Sequence, residues 1–218
     1  MQPPNLQCSI AVLISGNGSN LQALIDASHS SNYTVGLVIS NNPDAYGLER
    51  AAKAGIASRV INHREFASRE DFDQAMIAAI DAFNPKLIVL AGFMRILSPQ
   101  FVQHYRGRVL NIHPSLLPAY PGTNTHQRVL DAGEHVHGVS VHFVTEELDG
   151  GPVIAQERVQ VLITDTAKEL AARVAKKEHS IYPRVVSWFA GGRLSMRENK
   201  AYMDDHLLSP SGAEIKPE

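Results

Sequence analysis

The chain has 218 residues, enough to bury a core in one large domain or two small ones. Its 20 Lys and Arg against 22 Asp and Glu leave a net charge of -2, which excludes a broad basic field for nucleic acid or an anionic membrane and points to small-molecule chemistry. Cys8 is the only cysteine, so an intramolecular disulfide is excluded, and with no basic n-region or long apolar run near the start the expected setting is cytoplasmic.

From the N-terminus, Ser9 to Ser15 is an apolar run of strand type that empties into Gly16-Asn17-Gly18-Ser19-Asn20, and Leu21 to Ile25 then opens a helical pattern. A glycine loop between strand and helix lets backbone N–H groups approach a ligand while the helix directs its positive end at the same place, which suits a phosphate. Leu21 stands where a dinucleotide fingerprint needs its third glycine, and no Gly-Lys-Ser/Thr follows, so a phosphate monoester is favoured over NAD or ATP. A ligand-free βα turn is the plain alternative. Tyr33 to Ser40 reads as a second strand, Ala45 to Ala54 as a helix closed by Gly55, and Ser58 to Ile61 as a short third strand. Ser68 caps a helix to about Phe83, with Met76, Ile77, Ile80 and Phe83 on its core side. Leu87 to Leu90 is a buried strand, and Ser98 with Pro99 starts the next helix. Between them, Met94, Ile96 and Leu97 are either core or the wall of an apolar slot for a flat ring.

The stretch from Arg108 to Gly122, RVLNIHPSLLPAYPG, runs from a strand into a rigid loop. Asn111 and His113 alternate with Val109, Leu110 and Ile112, so the amide and the imidazole share one side near the strand's exit. Pro114, Pro118 and Pro121 fix φ at three points and Gly122 permits the turn. Taken alone, the pair reads as a satisfied strand-end Asn and His. A helix from Thr125 to Ala132 ends at Gly133, and Gly138 to Thr145 alternates as a strand with one functional face would. Glu146 to Pro152 is a tight acidic turn in which Asp149 has the most constrained backbone, and Val153 to Val161 is a further strand. Thr166 caps a long amphipathic helix to about Ala190, with Glu178 and His179 inside it and Pro183 as a kink. The polar tail, residues 204 to 218, is expected to be mobile. The alternation predicts a single α/β domain over residues 1–218, ordered at about 8–200, with a mostly parallel, twisted, Rossmann-like sheet flanked by helices. Ligands then sit outside the strands' carboxyl ends, where the glycine loop, the Met94–Leu97 segment, Asn111 with His113, and the Asp149 turn all fall.

SGNGSNLQ at 15–22, AGFMRILS at 91–98, NIHPSLLPAYPG at 111–122 and HFVTEELDGGPVI at 142–154 closely resemble, in order and spacing, the phosphoribosylglycinamide formyltransferase family, folate-dependent enzymes of purine biosynthesis. The likeness runs from about Ile10 to Trp188. It implies a formyltransferase-type fold and transfer of the formyl group of 10-formyltetrahydrofolate, a co-substrate, to the amine of glycinamide ribonucleotide, with no metal, nucleic acid or membrane involved. By position it implies that Asn111, His113 and Asp149 are catalytic. The neutral amide would meet the developing oxyanion, the protonated imidazole would stabilise it and move a proton from the amine to the departing folate nitrogen, and Asp149 would favour the imidazolium and orient its ring. The resemblance further implies Gly18, Ser19 and Asn20 for the ribonucleotide phosphate and Glu178 for its glycinamide end. For the folate it implies Arg69, Met94, Arg95, Ile96, Leu97, Asn111, Thr145, Glu146, Glu147, Leu148 and Asp149. The chain departs from the family pattern at Asn124, often histidine, and at Ala119, often lysine, so substrate affinity is the property most open to change.

Other readings carry less. A methionyl-tRNA formyltransferase needs an RNA-binding domain and a basic surface, and a formyltetrahydrofolate deformylase usually carries an N-terminal regulatory domain, whereas the first strand here begins by residue 9 or 10. A non-catalytic sugar-phosphate binder has no need of Asn111, His113 and Asp149 together. Ser115 lacks a nucleophile elbow, and His135, His137 and His142, with no placed carboxylate or cysteine, read as unliganded.

Overall fold

The computed structural model describes residues 7 to 215. β1 (Cys8–Ile14), β2 (Tyr33–Ser40), β3 (Ala57–Val60), β4 (Leu87–Leu90) and β5 (Val109–His113) run parallel, while β6 (Val136–Phe143) and β7 (Val153–Gln160) pair antiparallel at one edge. Their order is β3-β2-β1-β4-β5-β6-β7. Strands covered on both faces bury the side chains of both, which is why β4, and β1 from Ile10 onward, are unbroken apolar runs. Ile10, Val12 and Ile14 face a layer made by α1 (Ser19–Ser28), α2 (Tyr46–Lys53), α5 (Thr125–Asp131) and α6 (Ala167–Ala190); Ala11 and Leu13 face α3 (Arg69–Phe83) and α4 (Pro99–His104). The result is one α/β domain with a mostly parallel sheet between two helical layers.

The helices begin where local chemistry starts them. Ser68 accepts the Asp71 N–H at 3.0 Å, Ser98 accepts that of Phe101 at 3.3 Å, and Thr166 forms a capping box with Glu169. α6 runs unbroken through Pro183, and the buried Tyr182 hydroxyl lies 2.9 and 3.1 Å from the carbonyls of Leu90 and Leu110, fixing α6 against the carboxyl end of β4 and the start of β5. Among the described residues no helix is long and apolar enough to cross a membrane. Chain connections leave β1 toward one layer and β4 toward the other, so the sheet order reverses between these neighbours and opens a crevice at their carboxyl ends.

Two expectations are corrected. Phe83 is exposed and not part of the core, its ring lying across Gly36, where a Cβ would sit 2.4 Å from it. The sequence pattern predicts no strand after the long helix, yet three follow it, the last within the segment from residue 204. Leu194–Arg197 (β8), Lys200–Met203 (β9) and His206–Leu207 (β10) form a three-stranded antiparallel sheet, and Ala213 donates its N–H to the Ile154 carbonyl at 2.7 Å. The turns use Glu198-Asn199 and Asp204-Asp205, all four with positive φ, and Arg193 and Arg197 clamp Asp204 and Asp205. Short acids and amides tolerate the left-handed region, so a polar tail folds here without the glycines that usually announce hairpins. Residues 216 to 218 of the expected tail lie outside the described residues.

Candidate active site

β5 delivers Asn111 and His113 to the carboxyl edge, and antiparallel pairing sets His142 of β6 opposite Asn111. His142 is buried, and burial, outweighing the nearby Asp149 carboxylate, drives its pKa down to about 4, so its ring is neutral. Its Nδ1–H donates to the Phe143 carbonyl at 2.8 Å, which leaves Nε2 as an acceptor for the Asn111 amide at 3.1 Å. That contact orients the Asn111 side chain, whose second N–H has no hydrogen-bond partner among the described residues. His113 is buried; its Nε2–H donates to the Tyr120 carbonyl at 2.9 Å and its Nδ1 lies 3.4 Å from Asp149 Oδ2. The same carboxylate oxygen accepts the Gly122 N–H at 2.8 Å, while Asp149 Oδ1 is 3.8 Å from His142 Nε2.

The turn that presents Asp149 is built on backbone constraints. Asp149 has φ 52°, and a Cβ on Gly151 would sit 1.8 Å from the Phe143 carbonyl oxygen, so only glycine fits there. Gly122, with φ 79°, ends the proline loop and ties it to the carboxylate. A cavity of about 120 Å³ lies in front, lined by Asn111, His142, Asp149, Thr145 to Leu148, and Arg95, Ile96 and Leu97. His113 does not line it and stands behind Asp149. Met94 is 71% exposed and Ile96 58% exposed, so these side chains are not core. Met94 and Arg69 do not border the cavity; Arg69 is exposed on α3, one turn before the buried Asp73, whose carboxylate accepts the Ser98 N–H at 2.5 Å.

Across the crevice, Gly18 is the cap of α1 with φ 74°, and its Cβ position lies 2.8 Å from the Gly47 backbone; the turn itself therefore demands glycine. Gly16 has no such constraint, with nothing within 4 Å of a Cβ built on it. Ser19 begins α1, and Asn20 is buried and donates from Nδ2 to Glu178 Oε2 at 2.8 Å. The structure thus brings Asn20 and Glu178 together across α1 and α6. Asn124 has φ 57° at the start of α5, a conformation that asparagine tolerates better than most residues.

Two residues escaped the sequence reading. In the sequence His142 is one of a group of histidines, and its contact with Asn111 follows from strand register, which needs the antiparallel pairing to be known. Arg50 on α2 clasps the glycine loop, donating to the Asn17 carbonyl at 2.9 Å, to Asn17 Oδ1 at 3.1 Å and to Gln22 at 3.2 Å. Its only signal was a cation in the helix after the second strand. Ser115 is buried and donates to the Ala119 carbonyl at 2.6 Å, so it presents no nucleophile.

None of the side chains at the cavity is set up to carry an acyl group itself, whereas the amide can meet negative charge and the paired imidazole can hold a proton. A site of that kind at the carboxyl edge of a doubly wound sheet belongs to an enzyme that passes an activated group directly between two bound molecules. Over residues 8–186 the chain matches the formyl transferase family, and it is a member of that family. It is 57% identical to the phosphoribosylglycinamide formyltransferase of Escherichia coli K12 over 94% of this chain and 97% of that one. It is 47% identical to the human trifunctional purine biosynthetic protein adenosine-3 over 87% of this chain and 19% of that much longer one. Among solved structures, the phosphoribosylglycinamide formyltransferase of Coxiella burnetii superposes with a TM-score of 0.91 at 54% identity, covering 94% of this chain and 97% of the other.

Proposed function

We propose that this chain transfers the formyl group of 10-formyltetrahydrofolate to the amine of glycinamide ribonucleotide, with Asn111, His113 and Asp149 as its catalytic residues. The observation that carries the reading is the meeting of Asn111 and Asp149 in one cavity, with His113 paired to Asp149 at 3.4 Å, in a chain 57% identical to an enzyme of that name. The bound folate supplies an activated one-carbon group. Attack by an amine puts negative charge on the formyl oxygen, and the free N–H of Asn111 meets that charge without a charge of its own to desolvate. His142 Nε2 holds the other N–H, so the amide is oriented before substrate arrives. The His113–Asp149 pair moves a proton from the attacking amine toward the departing nitrogen, with Asp149 the member of the pair that reaches the cavity.

Gly18, Ser19 and Asn20 receive the phosphate at the N-terminus of α1, with Arg50 adding positive charge beside the loop. Glu178, held through one oxygen by Asn20, offers the other to the glycinamide end. The exposed Met94 and Ile96, Arg95 beside them, the partly buried Leu97, the backbone and side chains of Thr145 to Leu148, and Arg69 take the folate. A reducing, cytoplasmic setting completes the proposal and rests on the single, free Cys8. The test is a spectrophotometric assay of purified protein with 10-formyltetrahydrofolate, run with and without glycinamide ribonucleotide. Folate deformylation that depends on the ribonucleotide is expected; equal loss of the formyl group without it would make the protein a hydrolase instead.

A further inference from the structure

The crevice between β1 and β4 separates the two proposed subsites, and one side chain spans it. Ser15, the residue after β1, accepts the Met94 N–H on its hydroxyl at 2.8 Å and donates that hydroxyl to Asn41 Oδ1 at 2.6 Å. Asn41 is buried at the end of β2, with His63 Nδ1 3.1 Å from its amide nitrogen and 3.0 Å from its carbonyl, and the Asn42 amide reaches the Ser15 carbonyl at 3.4 Å. The serine is therefore held from the glycine-loop side, next to Gly16. On the other side, residues 94 to 98 lie outside any helix or strand, and their side chains at 94 to 96 are exposed. That segment is pinned from outside at both ends, by Ser15 at Met94 and by Asp73 at Ser98.

We infer that Ser15 is a positioning residue that couples the two substrate subsites. The inference rests on the function proposed above. A phosphate drawing on the backbone of the glycine loop sets the Ser15 hydroxyl, and the Met94 N–H must follow it or lose its acceptor. The wall from Met94 to Leu97 then takes the height at which a flat ring packs against it. Coupling of this kind is reciprocal, so a folate analogue seated on the wall tightens the loop by the same factor. Asp73 is the contrasting anchor. It holds the far end of the same wall from α3, its Oδ1 has no partner among the described residues, and it does not touch the glycine loop. Loosening Asp73 therefore disturbs folate binding alone.

The experiment is calorimetric titration of the full-length protein with tetrahydrofolate, with and without saturating glycinamide ribonucleotide, a pair that has no formyl group to transfer. In the unaltered protein the ribonucleotide tightens tetrahydrofolate binding by about fivefold or more. Ser15→Ala brings that ratio to within about twofold of one, Ser15→Thr, which keeps the hydroxyl, retains it, and Asp73→Asn weakens both titrations by a like factor and leaves it intact. A purely structural role for Ser15 would lower both affinities without changing their ratio. Should Ser15→Ala fail to fold by circular dichroism, Ser15→Cys, a weaker donor and acceptor, takes its place and lowers the ratio part of the way. A ratio near one in the unaltered protein, or an undiminished ratio in the folded Ala or Cys variant, overturns the inference. Formyl transfer measured on the same preparation separates the two readings: transfer without coupling removes only the role of Ser15, and absence of transfer removes the function.

Discussion

At the residue scale the site hinges on Asp149, whose Oδ2 both faces the His113 ring and accepts the Gly122 N–H. Asparagine in its place keeps an oxygen for Gly122 and loses the negative charge that faces the His113 ring. Asp149→Asn should therefore lower kcat by about 1,000-fold or more while moving the ribonucleotide KM by less than about threefold, read by steady-state kinetics. Wild-type turnover would take Asp149 out of the mechanism. His142→Phe removes the acceptor that orients Asn111 and should lower kcat by roughly 10- to 100-fold with the fold intact. That Asn111, His113 and Asp149 lie together was legible because each sits in a long contiguous motif. His142 and Arg50 were not, because their roles are set by partners distant in sequence, the one across a strand pair and the other across a βα crossover.

At the scale of elements, glycines and caps decide where the site stands. The strand and helix runs up to residue 190 were legible because apolar periodicity and the capping Ser68, Ser98 and Thr166 mark them. The β8–β10 sheet was not, since its turns rely on Asn199 and on Asp204 and Asp205 in the left-handed region. Gly18 tests the glycine loop. An added methyl meets both a left-handed φ and a backbone atom 2.8 Å away, so Gly18→Ala should cost about 1–3 kcal/mol of stability. It should also raise the ribonucleotide KM about tenfold or more and change the folate KM by less than about threefold. Denaturant unfolding and two-substrate kinetics would check both; an unchanged ribonucleotide KM would contradict the loop's role.

For the molecule as a whole, the parallel run of β1 to β5 was foreseeable from βα alternation, whereas their order and the reversal of β6 and β7 were not, since sequence periodicity carries neither strand order nor direction. Those two strands also bury histidines. Burial holds His137 and His142 at pKa values of about 4 and lowers His126, which lies 3.0 Å from His137. Neutral in the fold and free to charge when unfolded, they contribute stability that is complete above the unfolded value near 6.5 and is lost as pH falls toward about 4. Asp73, raised by burial, works in the opposite direction and offsets part of the loss. Urea unfolding between pH 8 and pH 4.5 should therefore show a fall on the order of 2 kcal/mol, and a flat profile would contradict neutral burial of these rings. Direct hand-over of a formyl group between two molecules bound at this carboxyl edge is tested by a single turnover with radiolabelled formyl on the folate and glycinamide ribonucleotide in excess. Label is expected in the ribonucleotide and lost in Asp149→Asn; label released as free formate would contradict direct transfer.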